Sequence, residues 1–232
     1  MTEAELERIR AEYEAGDAAA STPYRWDNPG YVAYMQIVER ALLKMFRDAE
    51  IRLEGARALD VGAGSGYFLH RLQEYGVGEA HGIDLMEERV AQGRTRYPTL
   101  KLRVGSATEL PYGDAEFDLV TQFTCLSSIL DDDVRLAVAR EMRRVARGWV
   151  LSFDLRGMSI SALRPRRQTS PPTIGIDAGE LRRLFGQPTL LRRTALPVEL
   201  AQLTGRFPLV TTALAGLTPL RSHLLGVWRE SR

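Results

Sequence analysis

The chain has 232 residues, 44% of them hydrophobic, and 31 Lys and Arg against 30 Asp and Glu give a formal net charge of +1. That suits one globular domain with a sizeable core, and the balanced charge provides no field for nucleic acid or an anionic membrane surface. A single cysteine, Cys125, excludes an internal disulfide framework and fits a reducing compartment.

No run approaches the roughly 20 apolar residues of a membrane span. The N-terminal MTEAELERIRAEYEAG is charged throughout and lacks the apolar stretch of a secretory signal, so a cytoplasmic location is expected. Residues 1–55 read as mainly helical, interrupted by STPYRWDNPG, and are expected to form an N-terminal cap or lid.

From residue 56 strand-like and helix-like segments alternate. RALDV (57–61) is a short buried strand, and Phe68, Leu69, Leu72 and Tyr75 then recur at helical spacing up to Gly76. AHGIDL (80–85) predicts a second strand, MEERVAQGRTRYP (86–98) a helix stopped by Pro98, and LKLRVG (100–105) a third strand. PYGDAEFD (111–118) has turn chemistry and leads into a fourth strand, FDLVTQF (117–123).

DDDVRLAVAREMRRVARG (131–148) predicts a helix with an acidic first turn and a basic last turn, which complement its dipole. WVLSFDL (149–155) is a fifth strand. Asp177 and Glu180 match a capping box for the helix AGELRRLF (178–185). TLLRRTAL (189–196) and SHLLGVW (222–228) suit two closing strands around an apolar insertion at about 197–220. The expected fold is α/β, with a doubly wound, mostly parallel seven-stranded sheet covered by helices on both faces over residues 56–232.

The densest glycine run is LDVGAGSGYF, where Asp60 is followed by Gly62, Gly64 and Gly66. The dinucleotide fingerprint requires a glycine at its sixth position, here Tyr67, and the phosphate loop of nucleoside triphosphatases requires a lysine that is absent. An acid followed by G-x-G-x-G resembles the first motif of the class I S-adenosylmethionine-dependent methyltransferases, of the stand-alone ubiquinone-biosynthesis-like type.

The resemblance implies a Rossmann-like sheet, S-adenosylmethionine as cofactor and S-adenosylhomocysteine (SAH) as product. It implies that Asp60 meets the cofactor's ammonium end and that Gly62, Ala63 and Gly64 form the floor. Asp84 lies 24 residues on (84 minus 60) at the tip of the second strand, and is the implied acceptor for both ribose hydroxyls. Leu85 is implied against the adenine.

In GSATELPYGDAEFDLV, the residues Leu110, Pro111, Phe117, Asp118 and Val120 fit a further family motif, and Ser106 stands where aspartate is usual. Ser106 and the Ala107 N–H are the implied adenine partners, and Phe123 the implied neighbour of the sulfonium or adenosine. The matching segments run in order from about 56 to 155.

Methyl transfer needs alignment above all, and a base only where the acceptor must lose a proton. Asp154, at the carboxyl end of the fifth strand, is the candidate to orient or deprotonate a hydroxyl; capping a turn or pairing with Arg156 is the open alternative. Tyr24 and Trp26 are candidates to stack on the acceptor, with hydrophobic anchoring as the alternative. Arg164, Arg166 and Arg167 follow the fifth strand and suit a phosphorylated or nucleotide-linked acceptor.

TQFTCLSSILDDD (121–133) lacks the Asn/Asp-Pro-Pro-aromatic motif of enzymes that methylate nucleic-acid amines, and Thr124 before Cys125 is not the proline of cytosine-carbon methylating enzymes. Cys125 is therefore expected to be inert. His70, His81 and His223 stand in no base motif, and His223 is expected to face solvent. Asp131, Asp132 and Asp133 begin a helix, so no metal site is expected.

The expected activity is methylation of a small molecule, on the oxygen of a sugar, glycan precursor or natural product. The expected protein is a monomer or homodimer with no nucleic-acid or membrane partner. An RNA methyltransferase and a non-catalytic S-adenosylmethionine-binding regulator are the alternatives.

Overall fold

A computed structural model describes residues 5, 7–11, 28–156, 173–195, 197–205, 207–217 and 220–230. After a helical stretch within 5–11, the elements are α1 (Pro29–Asp48), β1 (Arg57–Val61), α2 (Tyr67–Glu74), β2 (Glu79–Asp84), α3 (Glu87–Arg96), β3 (Lys101–Val104) and β4 (Phe117–Phe123). There follow a single turn of 3-10 helix (Leu126–Ser128), α4 (Asp132–Val145), β5 (Ala146–Leu155), α5 (Ala178–Phe185), β6 (Leu190–Thr194), α6 (Val198–Thr204), α7 (Pro208–Gly216) and β7 (His223–Arg229).

The seven strands form one sheet in the order β3-β2-β1-β4-β5-β7-β6. β1 to β5 pair in parallel, and β7 runs antiparallel to both β5 and β6. This is the expected mostly parallel sheet, with the antiparallel strand inserted next to its edge.

Side chains alternate across the sheet, and that alternation builds two cores. Ala58, Leu119, Leu151, Phe153 and Leu225 face Val38, Leu42 and Met45 of α1 and Leu69 and Leu72 of α2. Leu59, Val61, Val120, Val150 and Leu224 face Val134, Val138 and Met142 of α4 and Leu181 and Leu184 of α5. The helix α1 is thus part of the first core, laid along the sheet.

The helix starts follow their caps. Asn28 Oδ1 accepts from Gly30 N–H at 2.9 Å, and Asp131 Oδ1 accepts from Asp133 and Val134 N–H at 2.8 and 3.1 Å. The capping box at α5 is half formed. Asp177 accepts from Glu180 N–H at 2.8 Å, while the Glu180 carboxylate pairs with Arg183 and Arg135.

One strand start differs from the sequence reading by three residues (149 minus 146). β5 begins at Ala146, directly after α4, because Asp118 on β4 holds it there. The Asp118 carboxylate accepts two bonds from Arg147 at 2.7 and 2.8 Å and one from the Arg57 N–H at 2.9 Å. The apolar insertion forms two short helices, α6 and α7, joined where the Thr211 hydroxyl donates to the Thr204 carbonyl at 2.7 Å. Since β7 runs against its neighbours, this insertion lies at the carboxyl edge of the sheet. Among the described residues no helix is long and apolar enough to cross a membrane.

Candidate functional site

Strand order reverses between β1 and β4, and an open α/β sheet leaves its ligand crevice outside the carboxyl ends at such a point. The turn after β1 lines this crevice. Gly62 and Ala63 N–H both donate to the Ile83 carbonyl, at 2.9 and 3.0 Å, tying the turn to the tip of β2.

Gly62 and Gly64 have φ of +73° and +54°, in the left-handed region where a side chain is strained. Their surroundings differ. A Cβ on Gly62 would lie 2.7 Å from Cys125 Sγ, whereas one on Gly64 would meet nothing within 4 Å. Gly62 is closed against the turn after β4, and Gly64 presents bare backbone to the crevice.

Two expected carboxylates sit here. Asp84 is half-buried; its Oδ2 accepts from Gly64 N–H at 2.7 Å and its Oδ1 from Met86 N–H at 2.9 Å. It joins the glycine turn to the start of α3, and each oxygen keeps a second acceptor position. Asp60 is 2% exposed, and its Oδ1 accepts from the Thr121 hydroxyl at 2.8 Å. Burial first, and the charge of Asp84 second, push the Asp60 carboxyl up to about 8. Such a group gains from a cation placed beside it.

The third and fourth strand tips carry the other residues implied for the cofactor. The Ser106 hydroxyl is engaged in its own turn, 2.8 Å from the Thr108 hydroxyl and accepting from Thr108 N–H at 3.2 Å. Leu85 and Ala107 are half-buried and pack against the α4 side of the core. Phe123 ends β4, stacked on Phe68 of α2 with centroids 4.0 Å apart and planes at 11°. Tyr24 and Trp26 lie outside the described residues.

Asp154 is sealed from solvent at the carboxyl end of β5. It is 0% exposed, and its two oxygens accept from Gln122 Nε2 at 2.5 Å and Ser127 N–H at 3.0 Å. Burial pushes its carboxyl up to about 6 against these hydrogen bonds. Gln122 completes the network, donating to Ser152 Oγ at 2.6 Å and accepting from Cys125 N–H at 2.9 Å. Together they hold the turn 124–128, in which Thr124 has a φ of +60°. Burial and the surrounding acids keep the Cys125 thiol firmly protonated, which leaves it a poor nucleophile.

His223 corrects an expectation. It is buried, not solvent-facing, because α1 covers the start of β7. Its ring stacks on Phe153 at 4.7 Å, its Nδ1 lies 2.8 Å from Ser222 Oγ and its Nε2 3.3 Å from the Tyr34 hydroxyl. Burial pushes it down to about 3, so it is neutral at physiological pH.

The helical residues near the N-terminus reach the same edge. Glu5 accepts from Leu130 N–H and Arg8 donates to the Ser128 carbonyl, both at 3.0 Å. No motif marked these two residues; only the fold brings them to the turn after β4. Among the described residues no group of three His, Cys, Asp or Glu is arranged to hold a metal.

The glycine geometry makes a paired prediction. Gly62→Ala is expected to cost roughly 2–3 kcal/mol of stability, as left-handed strain adds to a clash with Cys125. Gly64→Ala should cost about 1 kcal/mol and act mainly on ligand affinity. Chemical denaturation of both variants checks this, and equal losses would contradict the assignment.

Residues 58–148 match the family model described as a methyltransferase domain. A demethylmenaquinone methyltransferase of Bacillus velezensis is 34% identical over 115 residues, covering 45% of this chain and 48% of the relative. A norajmaline N-methyltransferase of Rauvolfia serpentina is 36% identical over 115 residues, covering 45% of this chain and 38% of the relative. The chain thus spans about half the length, or less, of these curated relatives.

Solved structures agree on the fold. An S-adenosylmethionine-dependent methyltransferase from Mesorhizobium loti superposes with a TM-score of 0.61 at 17% identity, over 82% of this chain and 98% of that one. Magnesium protoporphyrin IX methyltransferase from Synechocystis PCC 6803, with bound SAH, gives 0.62 at 13% identity, over 99% and 95%. With the acid-glycine turn, the second acid at the tip of β2 and the 3-2-1-4-5-7-6 sheet, residues 58–148 carry a methyltransferase domain, within a chain that has the fold of class I S-adenosylmethionine-dependent methyltransferases.

Proposed function

We propose that the chain is an enzyme that methylates a small molecule with S-adenosylmethionine, releasing SAH. The observation that carries the reading is the carboxyl pair around an open glycine: Asp84 held 2.7 Å from Gly64 N–H, and Asp60 buried beside them.

When bound, the cofactor supplies a methyl group on a sulfonium. Asp60 meets its ammonium group, and the free acceptor positions of Asp84 take the ribose hydroxyls. The bare face of Gly64 allows close approach. The Phe123 and Phe68 rings shield the reacting end from water. Alignment at the tips of β4 and β5 then does most of the work. Asp154 is a positioning residue in this scheme, since both of its oxygens hold the turn that faces the acceptor.

The narrower reading is an oxygen acceptor on a sugar, glycan precursor or natural product. The sequence 124–128, TCLSS, lacks the proline-rich motif of enzymes that methylate nucleic-acid amines and so separates the reading from that class alone. A cytoplasmic setting belongs to the same proposal.

Titration calorimetry with SAH tests it, with a nicotinamide dinucleotide as the control. Saturable heat with SAH alone is expected; heat with the dinucleotide alone would overturn the reading. Asp60 adds a pH signature. Its carboxyl titrates near 8 in the free protein, and a neighbouring ammonium lowers that value. Binding should then release a proton, and affinity should strengthen from pH 6 to pH 8 by up to about tenfold per unit. The released proton is measured by repeating the titration in buffers of different ionisation heat. A pH-independent affinity would remove Asp60 from the ammonium site.

A further inference from the structure

A cluster of arginines lies at the carboxyl edge of the sheet, beyond the acceptor turn. Arg156 follows the last residue of β5, and its N–H donates to the Ser222 carbonyl at 2.7 Å. Its Nε is buried and has no hydrogen-bond partner. Arg193 on β6 pairs in register with Leu224, which is in turn opposite Asp154, so it lies on the same face of the sheet. Burial and then the charge of Arg193 push the Arg156 guanidinium below its ordinary value.

Arg221 adds a third charge nearby, its guanidinium donating to the carbonyls of Ala215, Arg193 and Gly216 at 3.0 to 3.2 Å. Among the described residues no carboxylate pairs with any of these three arginines. The neighbouring Arg192 shows the usual solution, an ion pair with Asp48 at 2.6 Å. Asp154, two residues before Arg156, has both oxygens engaged elsewhere. From 186 to 222 the chain contains Arg192, Arg193, Arg206 and Arg221 against the single acid Glu199.

Arg156 is half-buried with its Nε unpaired and Arg193 is exposed on the same face, so an oxyanion arriving from solvent can satisfy the one and reach the other. We infer that Arg156 and Arg193 form a binding site for a phosphate-type oxyanion at the tips of β5 and β6. Resting on the methyltransferase reading, that oxyanion belongs to the acceptor, whose methylated atom then reaches toward Phe123. A guanidinium fork matches phosphate oxygens two at a time. The adjoining α6–α7 hairpin exposes Leu203, Phe207, Leu209 and Leu217, with Leu209 86% exposed. The phosphate therefore has two sources, a free phosphorylated metabolite or an anionic lipid headgroup beside an apolar surface.

The test uses the full chain with inorganic phosphate, and with vesicles of phosphatidylglycerol or of phosphatidylcholine alone. Phosphate binding by calorimetry at constant ionic strength is expected, at least tenfold weaker in Arg156→Gln and in Arg193→Gln. Arg156→Gln should melt at or above the parent temperature, because an uncompensated charge is removed. Co-sedimentation with phosphatidylglycerol but not phosphatidylcholine, lost in Arg156→Gln, identifies a headgroup; phosphate binding without co-sedimentation identifies a free metabolite. No binding of either probe, or equal binding by the variants, overturns the site. SAH affinity is measured alongside: if it is intact while phosphate fails, this inference falls alone, and if SAH fails, the methyltransferase reading falls.

Discussion

Replacing Asp84 with alanine is expected to weaken SAH binding by roughly 1–3 kcal/mol, about 5- to 150-fold. Three losses add up. The implied ribose hydroxyls lose their acceptor, Gly64 N–H loses its 2.7 Å partner and Met86 N–H its 2.9 Å partner. The backbone losses fall at the half-exposed edge, where water replaces the carboxylate, so the protein should stay folded with a small drop in melting temperature. Asp84→Asn separates the contributions, since one amide oxygen keeps a single acceptor and should retain an intermediate affinity. Titration of SAH into both folded variants measures this. Parent-like affinity in Asp84→Ala would remove the ribose assignment.

The other large effect is on stability, at Asp154. Its carboxylate is 0% exposed, so Asp154→Ala leaves the Gln122 amide and the Ser127 N–H facing a void. Each unsatisfied buried donor costs about 1–3 kcal/mol, and a loss of roughly 2–5 kcal/mol is expected. For a domain of this size that lowers the melting temperature by about 5–15 °C. Asp154→Asn preserves shape but points an NH2 at a donor, so it too should be destabilised.

A general base behaves in the opposite way. Its asparagine variant would stay stable and lose about 10²–10⁴-fold in rate. Denaturant unfolding, together with turnover at a temperature where both proteins are folded, separates the two roles. A stable Asp154→Asn protein slowed more than a hundredfold would favour the catalytic assignment.

The difference between Asp84 and Asp154 shows how far the sequence can be read. Both are single acids at strand tips, in GIDL and SFDL. For Asp84 the neighbouring glycine turn came with it, because β1, its turn and β2 are consecutive in the chain. For Asp154 the partners Gln122 and Ser127 sit on another strand and its turn, about 30 residues away. Only the parallel pairing of β4 with β5 places Gln122 opposite Ser152 and closes the carboxylate off. His223 is similar: its burial depends on Tyr34 of α1, 189 residues distant.

By itself the sequence determined the alternation of strands and helices, the glycine turn, the acids at the tips of β1 and β2, and most helix caps. These are local properties, set by side-chain periodicity, by the backbone angles that glycine permits and by hydrogen bonds two or three residues apart. The tertiary structure alone decided that β7 enters antiparallel between β5 and β6, that Asp154 is sealed and that His223 is neutral. The two polar groups depend on which distant surfaces exclude water from them. Desolvation is set by packing between elements, and no spacing along the chain encodes it directly.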